Sequence, residues 1–166
     1  MPDGCFAAGA ASVRLGVPLT PNWAAQRRDW ARVLEADGEP WRRLRGLFEE
    51  TQAGQRAVQE GCGTVSGCLF GNLTLELSNQ TEAVRRRLQE IFDAQVDMVE
   101  TVVEEARERG DVTVVDTREA ARAVVAQLEG QVMVAKMYNS TERLTPLWNN
   151  CLALLGARRP SGTRKP

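Results

Sequence analysis

The chain is 166 residues long, 43% hydrophobic but only 5% aromatic, which suits one compact domain and, with its many Ala, Val, Leu, Glu and Arg, favours helix over sheet. A formal net charge of -1 supplies no field to hold a nucleic-acid backbone, and the absence of histidine removes the commonest general base and metal ligand. Cys5, Cys62, Cys68 and Cys151 form no CxxC pair, so neither a zinc site nor a disulfide framework is indicated.

No apolar run is long enough for a membrane span, and Asp3 stands where a signal peptide would carry basic residues. Against Asp3 stands the small, apolar segment Cys5 to Val13; a reduced, cytoplasmic protein is the reading adopted. Residues 1–21 are rich in Ala, Gly and Pro without a period and read as an irregular or disordered leader. From Asn22 to Ala36 the pattern predicts a helix, with Asn22 as its cap and Trp23, Trp30, Val33 and Leu34 making its apolar contacts. Pro40 opens the next one, where Leu44, Leu47, Phe48 and Thr51 share a face until Gly61 to Ser66 interrupt it.

The segment Gly67 to Leu77 is a short apolar helix candidate in which only Glu76 is charged, so other helices must enclose it. Two glycines four apart fit either tight helix packing or a pocket wall, with Cys68, Asn72 and Thr74 as the polar groups. Asn79 with Glu82 and Asp116 with Glu119 are capping-box patterns. Between them the apolar spacing from Val84 to Ala106 predicts a helix of about 29 residues, roughly 43 Å long. Val112 to Val115 has no second strand to pair with and reads as a loop packed on the bundle. Thr117 to Tyr138 is apolar on more than one face, and a third box at Asn139 and Glu142 precedes an amphipathic last helix through Leu155. Residues 157–166 are a polar, basic tail, read as disordered. The expected fold is an all-α multi-helix bundle, with residues 22–156 as its helical domain.

The run Gly67-Cys68-Leu69-Phe70-Gly71-Asn72-Leu73, then Glu76-Leu77-Ser78, a long helix, and Leu128-Glu129-Gly130 leading to Ala135-Lys136 resembles the C-terminal regulatory domain of tetracycline-repressor-type (TetR family) transcriptional regulators, from about Trp41 to Leu155. The resemblance implies a homodimerising domain that senses a small apolar effector, with no catalytic residues, cofactor or metal. It also implies a helix-turn-helix unit ahead of that domain. No such unit is read in Met1 to Ala36, and no lysine precedes Lys136, so DNA contact is expected only through a missing helix-turn-helix or a partner subunit. The competing reading is a ligand-free helical protein that forms mixed dimers with complete family members and blocks them.

Cys68 and Asn72 lie within the matching motif; Trp30, Leu47, Phe48, Thr51, Phe92, Val96 and Met133 join them as pocket candidates on geometric placement. For any single one of these, ordinary core packing is the competing role. The two apolar faces of Thr117 to Tyr138 and the stripe of the last helix point to a dimer seam of Val124, Leu128, Gln131, Val134, Leu144, Trp148, Cys151 and Leu155, and the resemblance places it there too; the alternative is that one chain fills both faces itself. Cys62 and Cys68 are candidates for a reactive thiol or an inert buried one. The sequons at Asn72, Asn79 and Asn139 are better read as one core residue and two helix caps.

Overall fold

The computed structural model describes residues 19–157. The leader up to residue 18 and the basic tail from residue 158 lie outside them, but Leu19 to Pro21 do not belong to a leader. They open α1 (Leu19–Leu34), where Pro21 is tolerated because a first-turn N–H has no helical partner to lose. Asn22 consequently lies inside the helix.

Helix α2 (Pro40–Cys62) starts on the proline and ends at Gly63, whose φ of 76° and N–H bond to the Gln59 carbonyl make a left-handed stop. Helix α3 (Leu69–Leu77) is capped by Cys68, whose Sγ accepts from the Gly71 N–H at 3.5 Å. Helix α4 (Glu82–Glu108) has 27 residues and spans about 40 Å. Its cap is Thr81 rather than Asn79: the extended backbone of Thr81 turns its hydroxyl to the Val84 N–H. Helix α5 (Thr117–Met137) starts as expected, with Asp116 accepting from the Glu119 N–H at 2.9 Å.

Asn139 is not a cap either. It takes a left-handed φ of 47°, its Oδ1 accepts from the Val65 N–H at 2.8 Å and its Nδ2 donates to the Gly63 carbonyl at 3.0 Å. It thereby ties the end of α5 to the α2–α3 loop. The last amphipathic stretch is split into a 3₁₀ turn (Thr141–Leu144) and α6 (Leu147–Leu154). Residues Val112 to Val115 form no strand; Val112 is buried, and the Thr113 hydroxyl donates to the Gly156 carbonyl at 3.1 Å.

The core has two parts. The larger joins Leu44, Leu47 and Phe48 of α2 to Val99, Val102, Val103 and Ala106 of α4, to the inner face of α5, and to Leu144, Leu147, Cys151 and Leu155. The smaller holds α1 and α3 on the first half of α4 through Trp23, Phe70, Leu73, Leu88 and Ile91, with Trp23 edge-on to Phe70 at 6.1 Å. Cys68 and Phe92 pack against both parts. The candidate site lies at that junction, because a nine-residue α3 is too short to close the space between α4 and α5.

Candidate functional site

Polar side chains from three helices hold the loop that enters α3. The Gln55 amide of α2 both accepts from the Gly67 N–H, at 3.0 Å, and donates to its carbonyl, at 3.1 Å. Asn72 Nδ2 donates to the Ser66 carbonyl at 3.2 Å, while Lys136 Nζ of α5 donates to Asn72 Oδ1 at 2.8 Å. Gly67 is required twice over: its φ is 80°, and a Cβ would meet the Lys136 side chain at 2.9 Å.

Between this loop, α3, α4 and α5 lies a cavity of about 460 Å³ whose walls include Cys68, Asn72, Phe92, Val96, Val125 and Met133, a size suited to a small organic molecule. Asp93 and Arg122 border it. Glu129 enters it because Gly71 has no side chain: a Cβ there would lie 2.6 Å from Glu129 Oε2. A second cavity of about 380 Å³, between α1, α2 and α3, abuts the first at Gly67, Cys68 and Glu129.

The nine pocket candidates are distributed over this region unevenly. Cys68, Asn72, Phe92, Val96 and Met133 line the larger cavity, and Trp30 and Thr51 join Cys68 around the smaller one. Leu47 is packed in the core and Phe48 faces Trp148 at 6.0 Å, so neither lines these two cavities. Asn72 lines the cavity while each end of its amide also makes one bond within the wall. Glu129, Asp93 and Val125 were not anticipated. The signal for Glu129 was present: it is the one charge between Val125 and Val132 on the inward side of an otherwise apolar helix.

Burial pushes the Glu129 carboxyl up, partly opposed by a hydrogen bond from Cys68. The Cys68 thiol is pushed up by burial first and by the Glu129 charge second, against the smaller pull of the Gly71 and Phe70 N–H groups. Cys68 is therefore a protonated thiol donating to a carboxylate, the reverse of an activated nucleophile. Cys62 is disulfide-bonded, contrary to the expectation of no disulfide. Cys151 is free, and burial raises it to about 12.

The proposed seam is mostly interior. Val124, Leu128, Leu144, Cys151 and Leu155 are buried within a single chain, and Trp148 anchors α6 on α2, edge-on to Trp41 at 5.9 Å. Gln131 and Val134 stay half-exposed. The stripe is covered by α2, an element distant from it in sequence, and by the 3₁₀ turn of the same chain. Outward faces remain on α5 at Ala126, Met133 and Met137 and on α6 at Asn150, Ala153 and Leu154.

Among the described residues no helix is long and apolar enough to cross a membrane. No curated protein matches the chain. It is similar in structure to E. coli NemR in its reduced form, with a TM-score of 0.72 and 22% identity over 85% of this chain and 72% of that one, a likeness of fold. Residues 40–150 match the family described as tetracyclin repressor-like, C-terminal domain. With the motif of α3, the all-helical bundle and this match in agreement, the chain belongs to the tetracyclin repressor-like family of transcriptional regulators.

Proposed function

We propose that this domain is the effector-sensing and dimerising part of a cytoplasmic transcriptional regulator and has no catalytic role. The observation that carries the reading is the cavity of about 460 Å³ between α3, α4 and α5. Its walls come from three helices and from a loop held by Gln55, Asn72 and Asn139, so a molecule seated there shifts α3 relative to α5 and is felt across the bundle. The solid core expected of a ligand-free blocking partner is not favoured by such a space. Dimerisation is assigned to the outward faces of α5 and α6, through Gln131, Val134, Met137 and Leu154, since the other proposed seam residues complete the core of one chain. Contact with DNA is assigned to a helix-turn-helix unit or a partner subunit.

The test is a thermal-shift and calorimetric screen of small apolar and aromatic compounds against the protein and a Met133→Trp variant. Met133 is 54% exposed at the cavity wall, so tryptophan there obstructs the space at little cost to folding. Hits that raise Tm in the parent and lose binding at least tenfold in the variant support the reading. Hits that are indifferent to Met133→Trp, or a screen without hits, refute it.

A further inference from the structure

Resting on the effector reading, we propose that the molecule accommodated in the larger cavity is an organic cation, an apolar or aromatic body bearing an amine or quaternary ammonium, with its charge set against Glu129 and Asp93. The walls are apolar on α4 and α5 through Phe92, Val96, Val125 and Met133, yet two carboxylates border the same space. Among the described residues no arginine or lysine pairs with Glu129; its recorded side-chain partner is the Cys68 thiol. The basic groups nearby are engaged elsewhere. Arg122 pairs with Glu119, and Lys136 Nζ bonds Asn72 Oδ1. The charged and titratable groups around Glu129 are Cys68 from the α3 cap, Asp93 from α4, Arg122 and Lys136 from α5 and, across the smaller cavity, Asp29 from α1 and Glu50 from α2, which pair with Arg32.

A carboxylate kept in an apolar wall without a counter-charge is a costly arrangement, and a ligand that brings the counter-charge relieves it. The cost is visible in the raised protonation range of Glu129. Phe92 adds a ring on which a cationic group is favoured over a neutral one of the same shape. Gly71 completes the device, since any side chain there displaces the Glu129 carboxylate from its position over α3. Because the cation favours the charged carboxylate, binding near the raised protonation range releases a proton.

The experiment compares three probes of one shape and different charge, phenyltrimethylammonium, tert-butylbenzene and benzenesulfonate, by calorimetry against the parent protein, Glu129→Gln and the exposed-site variant Asp93→Asn, each checked for fold by circular dichroism. The expected result is a preference of roughly tenfold or more for the cation over the neutral isostere, with the sulfonate weakest. Glu129→Gln removes that preference while tert-butylbenzene still binds, and Asp93→Asn reduces it. Equal binding of the cation and the neutral probe, tighter binding of the sulfonate, or a cation preference that survives Glu129→Gln overturns the proposal. In those cases, neutral or anionic ligands that Met133→Trp still blocks leave the effector pocket standing, and loss of that block as well refutes both.

Discussion

Replacing Gln95 with methionine should stabilise this domain. Gln95 lies on α4, is 0% exposed, and neither Oε1 nor Nε2 has a hydrogen-bond partner among the described residues. A buried polar group left unmet costs about 1–3 kcal/mol, and the amide has two. Methionine has nearly the same volume and no amide to desolvate, so repacking should cost less than about 1.5 kcal/mol. Halving the gross gain for relaxation of the surroundings leaves a net of about 2 kcal/mol, or about 4–8 °C in Tm at this chain length. Gln95→Ala is the control: it removes the same amide but leaves a cavity, and should lose about 2–4 kcal/mol. Urea and thermal unfolding followed by circular dichroism measure both. A methionine variant that melts below the parent would show that the amide is satisfied, through ordered water or otherwise, and that the argument from its isolation is wrong.

Leu154→Glu, on the outward face of α6, should convert a dimer to monomer in sedimentation with little loss of Tm, whereas Leu155→Glu should unfold the chain because Leu155 is 0% exposed; a Leu154→Glu dimer would move the interface elsewhere. Asn139→Gly should cost about 1–2 kcal/mol through its two lost side-chain bonds, and Asn139→Ala more, because alanine resists the left-handed φ of 47°; equal losses would remove the backbone part of the argument. The raised Glu129 carboxyl favours the protonated form in the folded state, so its contribution to stability is present below the unfolded-state value and is lost as pH rises through the folded one. Denaturant midpoints of Glu129→Gln measured against the parent should therefore show the variant gaining relative stability as pH rises through that window, and an unchanged difference would contradict this. Cys68 should react with iodoacetamide at pH 8 far more slowly than a free cysteine, a result that mass spectrometry of the native protein resolves and that fast alkylation would reverse.

Elements whose signal is local were legible in the chain. Asp116 does cap α5, Pro40 does open α2, and the apolar spacing from Val84 to Ala106 does form one long helix. The capping box at Asn79 gave way to Thr81 two residues on, a local competition, whereas the one at Asn139 failed for a reason local sequence does not contain. Asn139 bonds to Val65 and Gly63, more than seventy residues away, and those bonds occupy the side chain that a cap would use. At the site, the motif around Gly67 to Asn72 marked residues that do line the larger cavity, Cys68 and Asn72 among them, but carried no sign of the carboxylates opposite. Asn72 bonds Ser66 and Lys136, and the acids at the cavity are Glu129 and Asp93 from the facing helices.

The amino-acid sequence by itself determined the helical class, the family motif and the short apolar α3, because periodicity, glycine placement and capping act over a few residues. The tertiary structure decided which apolar faces are interior. Leu128, Cys151 and Leu155 read alike as seam or core, and only their enclosure by α2, α4 and the 3₁₀ turn makes them core. It also decided that Glu129 stands beside Cys68 over a glycine, since the chemistry of a buried carboxylate is set by what surrounds it and not by its neighbours along the chain.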